Sequence, residues 1–182
     1  MARALIVGCG CRGQQLGKRL VAAGWQVRGT TRDPGNAEDI LGAHLEAAVA
    51  DPDRAASILD HVGDVTLVFW LLGSALGEPR VIAAVHGPRL ERLMEKLVDT
   101  PVRGFVYEAA GRVQRHDLER GAEIVRDAAE RWRIPVEVVT QDPGDWEAWT
   151  DAMLAAAERL TGAARRGAAG RLLDAKQHPP RR

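Results

Sequence analysis

A chain of 182 residues with 25 Lys and Arg against 25 Asp and Glu carries no net charge, so no whole-chain field draws it to nucleic acid or to a membrane surface. That length suits one sizeable α/β domain and is too short for two. No apolar run approaches the ~20 residues of a membrane-spanning helix, and Met1-Ala2-Arg3 leads into a strand with no leader-like segment, which points to the cytoplasm.

Ala4-Leu5-Ile6-Val7 predicts a buried first strand that stops at Gly8. Gly8-x-Gly10-x-x-Gly13 follows. Gly8 permits the tight turn, Gly10 lets backbone approach a pyrophosphate, and Gly13 allows helix and strand to pack closely. The N–H groups and positive dipole end of the next helix then face the phosphates. Cys9 and Cys11, the only cysteines, sit inside this turn. Their separation is poor for a disulfide and two ligands make no zinc site, so they read as small turn residues. The five histidines show no metal-ligand spacing.

The first helix is expected over 13–23, with Leu16, Leu20 and Val21 on its buried side, Gly17 allowing close approach, and Gly24 as cap. A second strand, 25–30, ends before the turn Asp33-Pro34-Gly35-Asn36. A short helix over 37–41 leads to a third strand, 44–50, after which Asp51 or Asp53 is placed to cap a helix carrying Ala55, Ile58 and Leu59. Val65 to Leu72 is nearly continuous apolar sequence, the pattern of a central parallel strand buried on both faces. A loop, 73–77, precedes a long helix, 79–98, kinked or re-capped at His86-Gly87-Pro88. A fifth strand is expected over 102–109, a polar loop over 111–120, a helix over 118–132, a sixth strand over 134–139 and a last helix over 146–160. Trp146 and Trp149 on that helix suit the core or the face of a homodimer.

The alternation predicts a doubly wound parallel sheet, a Rossmann fold of order 3-2-1-4-5-6 in three α/β/α layers, over residues 1–161. Residues 162–182, rich in Ala, Gly, Arg and Pro, read as a basic, disordered tail; contact with nucleic acid is the lesser reading. The ligand crevice should lie beyond the carboxyl ends of strands one and four. Gly8, Gly10, Cys11, Arg12 and Gly13 form its phosphate loop. At the end of strand two an acid would select NAD; Thr30, Thr31 and Arg32 stand there instead, with Arg28 upstream, and favour the 2′-phosphate of NADP over NAD. Arg12 reaches a phosphate or points to solvent. Asp51 is placed to accept from an adenine amino group or to cap the following helix. Leu71, Leu72 and Gly73 are placed to flank the ribose or nicotinamide.

These stretches resemble the atypical short-chain dehydrogenases of the NAD(P)-dependent epimerase/dehydratase-like branch. The matching pieces are Leu5 to Gly10 with Gly13 to Leu16, Arg28 to Arg32, Ala50-Asp51, His86 to Glu91 and Gly104 to Tyr107, spanning about residues 3–140. The resemblance implies a nicotinamide cofactor. It also implies a Ser or Thr after strand five and a Tyr-x-x-x-Lys pair, and the chain departs on both counts. Strand five runs into Glu108-Ala109-Ala110-Gly111, and the single tyrosine, Tyr107, has Gly111 four places on. The chain also stops near where family members continue into a substrate lobe.

Two functions follow. One is a small NADP-dependent reductase holding a planar acceptor against the nicotinamide, with Ser74, Glu108 and His116 as candidate side chains for binding the acceptor or relaying a proton. The other is a non-catalytic nucleotide-binding or redox-sensing module that acts through a partner.

Overall fold

The computed structural model describes residues 2–177, with side chains as far as residue 162. Six parallel strands form one sheet: β1 (Arg3–Val7), β2 (Gln26–Thr31), β3 (Glu46–Val49), β4 (Leu67–Trp70), β5 (Gly104–Glu108) and β6 (Val136–Val139). Their order is β3-β2-β1-β4-β5-β6, the expected Rossmann-like topology. The strand order reverses between β1, which pairs Ile6 with Gly29 of β2, and β4, which pairs Phe69 with Ile6 on the other side.

Side-chain alternation assigns two separate cores to the two faces. Leu5, Val7, Val68, Trp70, Phe105 and Tyr107 point to one. There they meet α3 (Ala55–Leu59), α5 (Pro88–Leu97) and α6 (Arg115–Trp132). Ala4, Ile6, Leu67, Phe69 and Val106 point to the other, against α1 (Cys11–Ala22), α2 (Ala37–Gly42) and α7 (Trp146–Gln177). A fully apolar β4 is what burial on both faces requires, and each of its residues is buried. Trp149 and the half-buried Trp146 belong to the second core, so Trp149 offers nothing to a dimer face.

Several expectations shift. α1 begins two residues early, at Cys11, and Val21 is 44% exposed instead of facing the sheet. Gly17 does face inward, where any Cβ would run into Leu45. The long helix is interrupted as expected: α4 (Pro79–Val85) ends at His86, and α5 restarts with Pro88 at its first position. Neither Asp51 nor Asp53 caps α3, which Arg54 precedes without a side-chain cap; Asp51 Oδ1 instead accepts from Asp53 N in a tight turn. α6 starts at Arg115, inside the stretch expected to be loop. α7 does not end near Leu160 but runs to Gln177, because its Ala, Leu and Arg residues favour helix and no proline intervenes before Pro179. Residues 178–182 of the basic tail lie outside the described residues.

Candidate functional site

A crevice of about 830 Å³ opens over the carboxyl ends of the strands, where the order reverses. Its central wall is the glycine turn. Gly8 adopts φ +86°, and a Cβ there would lie 2.6 Å from Leu71 O, so β1 can leave the sheet beside β4 only through glycine. A Cβ on Gly13 would press to 3.2 Å from Gly8 O. Gly10, by contrast, has open space beside it. The first helical N–H to find a partner is that of Gln14, which donates to Gly10 O at 2.9 Å. The N–H groups of Cys11, Arg12 and Gly13 precede it, as a helix start leaves them. Together with the helix dipole they fit a pyrophosphate.

Cys9 turns away from this cradle into the core. Its Sγ packs on β2 against Gly29, where any Cβ would collide with it. Burial pushes its thiol up to about 12, so it is inert, while Cys11 is exposed at the crevice.

On the β2 side, Thr30, Thr31, Arg32 and Asp51 line the crevice. Thr30 is buried. Thr31 Oγ1 exchanges 3.2 Å hydrogen bonds with the backbone of Asp33, whose own carboxylate accepts from Gly35 N. Asp33 is thereby committed to the turn. Arg32 is exposed and reaches across the mouth, Nη2 donating to Leu76 O at 3.4 Å. Arg28, expected to support it, does not. It lies further back along β2, paired with Glu46 of β3, where it donates to Glu46 at 2.6 Å and to Asp64 at 2.9 Å. Arg3 pairs with the same two acids, which closes a four-membered ion network.

The β4 and β5 side is built from buried side chains. Leu71 and Leu72 line the crevice; Gly73 does not, because the loop after β5 packs on it and a Cβ there would strike Ala110 O. Glu108, the last residue of β5, is 1% exposed. Its Oε2 accepts from Gly73 N at 2.8 Å and its Oε1 from Trp149 Nε1 at 3.0 Å. Burial raises its carboxyl to about 7, against the opposing pull of the Gly73 N–H, the Arg12 guanidinium and the Trp149 N–H. Arg12, half-buried in the glycine turn, lines the same crevice and makes no hydrogen bond among the described residues.

The peptide between Leu72 and Gly73 is held from both ends. While its N–H donates to Glu108, its carbonyl faces His86 Nε2 at 3.2 Å. His86 Nδ1 lies 2.6 Å from Tyr107 Oη, which is also 3.3 Å from Leu118 O. His86 is fully buried, and that burial depresses its basicity. Burial likewise drives the Tyr107 hydroxyl far above its ordinary range. Gly121 of α6 leaves room for that hydroxyl, which any Cβ would strike. The sole tyrosine is therefore a core strut rather than a proton donor to the crevice.

Of the three side chains proposed for chemistry, Ser74 and Glu108 line the crevice and His116 does not. Ser74 Oγ accepts from Arg112 N at 3.3 Å. His116 stands exposed at the start of α6, 3.3 Å from Asp117. The sequence reading missed the partners of Glu108; the one signal was a carboxylate closing an otherwise apolar strand, Phe105-Val106-Tyr107-Glu108. Among the described residues no cluster of His, Cys, Asp and Glu suits a metal ion, and no helix is long and apolar enough to cross a membrane.

No protein-family model matches the chain, and no curated protein does. Solved structures do share the fold. A short-chain dehydrogenase/reductase superfamily protein from Agrobacterium tumefaciens with bound NAD is 18% identical, with a TM-score of 0.62 over 76% of this chain and 48% of that one. Vestitone reductase from alfalfa (Medicago sativa) is 16% identical, with a TM-score of 0.60 over 77% and 56%. UDP-glucose 4-epimerase from Thermotoga maritima, solved with UDP-glucose, is 14% identical, with a TM-score of 0.63 over 76% and 54%. The chain spans about half the length of the structures it matches. At such identities the likeness shows the fold alone.

Proposed function

We propose that the crevice binds a nicotinamide dinucleotide and prefers NADP(H) to NAD(H). The observation that carries this reading is the continuity of the crevice from the open Gly10 cradle to Arg32 at one end and Glu108 at the other. The N–H groups of Cys11, Arg12 and Gly13 would hold the pyrophosphate, with Arg12 as added positive charge. Asp51 would accept from the adenine amino group. Thr31 and Arg32 would take the 2′-phosphate, while the neighbouring Asp33, which also lines the crevice, accepts from Gly35 N in its turn. The structure matched from Agrobacterium tumefaciens carries NAD rather than NADP, so the preference rests on this chain's own residues.

A bound nicotinamide supplies hydride chemistry, and the chain's contribution to it would be positioning. Ser74 and Glu108 are the two side chains at the right end of the crevice to orient a small planar acceptor or hold a proton. The second reading, a nucleotide-binding or redox-sensing module without turnover, is favoured by Tyr107, whose hydroxyl is sealed between His86 and α6. Titration of the purified chain with NADPH and NADH, followed by Trp149 quenching at the crevice wall, tests binding. NADPH oxidation with flavin and quinone acceptors then separates the two readings: turnover identifies a reductase, and tight binding without turnover identifies the module. Failure to bind either nucleotide refutes both.

A further inference from the structure

We propose that Glu108 makes the crevice discriminate between the redox states of its nucleotide, favouring a cationic pyridinium ring over the neutral dihydropyridine. This rests on the dinucleotide reading above and adds to it the chemistry of the ring-binding end.

The sheet order fixes which half of the ligand meets Glu108. The phosphate cradle stands at the end of β1 and the start of α1. To one side lie β2 and β3, with Thr31, Arg32 and Asp51; to the other lie β4 and β5. A dinucleotide centred on the cradle with its adenosine half over β2 must extend its other half over β4 and β5. The wall there carries the Glu108 carboxylate.

That carboxylate is buried yet accepts on both oxygens, from Gly73 N and Trp149 Nε1. Two donors aimed at an acid residue favour its ionised form. Polar and charged groups stand on several of the elements packed around it. Arg12 on α1 is the cation across the crevice. Trp149 on α7 is a neutral donor. Ser74 and Arg112 stand on the two loops that flank it. Tyr107 is adjacent on β5, with Asp117 and His86 behind the peptide of Leu72 and Gly73.

Oxidised nicotinamide carries one positive charge on its ring and reduced nicotinamide none, while their phosphates are alike. A buried anion beside the ring therefore stabilises the oxidised form selectively, and more strongly at reduced dielectric than in water. The carboxyl titrates near neutrality, so the selectivity must grow as pH rises. Such a site reports the oxidised fraction of the cofactor pool in place of its total.

The experiment measures dissociation constants of NADP+ and NADPH for the full chain at about pH 6 and about pH 8.5, in wild type, Glu108→Gln and Trp149→Phe. The ratio of the two constants cancels the titration of the phosphates, which both forms share. In wild type the ratio should move towards NADP+ by about tenfold across this range. Glu108→Gln should hold it flat. Trp149→Phe, which removes one donor from the carboxylate, should displace the change to higher pH. A ratio independent of pH in wild type overturns the inference, even if Glu108→Gln does not fold. So does an unaltered pH dependence in Glu108→Gln. Absence of binding by both forms at either pH removes the dinucleotide reading, and the inference with it.

Discussion

Over β1 and β2 the crevice wall is main chain and glycine: Gly8 at φ +86°, Gly10 with nothing beside it, and helical N–H groups still without partners. Over β4 and β5 the wall is made of side chains, Leu71, Leu72 and the buried Glu108 among them, and Glu108 and the buried His86 behind it hold the two ends of a single peptide unit. The first half presents backbone donors at its surface, whereas the second ties its carboxylate and the Leu72–Gly73 peptide into internal hydrogen bonds. This difference teaches where change should fall: substitutions in the glycine half should alter binding with little loss of stability beyond backbone strain, and substitutions in the clamp should alter stability first.

The clamp offers the largest expected effect. Glu108→Ala strands the Gly73 and Trp149 donors in the core and should cost about 4 kcal/mol in urea unfolding. A loss near that of an ordinary surface substitution would show that the clamp contributes little. Next comes its pH dependence. The folded carboxyl sits at about 7 against an ordinary 4.5, so the protonated form is the one that folding favours. Stability from this group is complete below about 4.5 and declines as pH rises through about 7, a change of about 3 kcal/mol. Glu108→Gln should lack this decline, which thermal melts of both chains across that range will reveal. Gly121→Ala, driving a methyl into the Tyr107 hydroxyl, should cost about 2 kcal/mol. Adding Tyr107→Phe should recover only part of that loss, since the ring carbon bearing the hydroxyl is also in the way; full recovery would mean that α6 shifts freely. Smallest is Arg28→Ala, expected to lower stability by about 1 kcal/mol through its ion network and to leave nucleotide selectivity untouched.

The glycine half was legible in the sequence because its demands are local. A strand that stops at Gly8, a helix that starts within three residues and a second strand at the right distance are set by backbone sterics and periodicity, which sequence spacing reports directly. The sheet order followed from the same rhythm. Arg28 and Arg32 show the limit: both lie in the predicted phosphate region, four residues apart. Only the pairing of β2 with β3, and the position of Asp64, shows that Arg28 is engaged elsewhere. Glu108 was visible as a residue type but not as a role, since its donors come from Gly73 and Trp149, 35 and 41 residues away. His86 was read as part of a helix break, which it is; its link from Leu72 to Tyr107 depends on tertiary packing that no local pattern encodes. The end of α7 differs from the expected Leu160, since no proline or other strong stop signal marks that point in the sequence.

The proposed dinucleotide recognition includes reading of the 2′-phosphate through Arg32. It is tested most directly by comparing NADPH and NADH affinities in wild type and Arg32→Ala. NADPH affinity should fall about tenfold or more while NADH affinity scarcely changes, the loss of one charge-assisted phosphate contact. Equal losses for both nucleotides, or none for either, would contradict it.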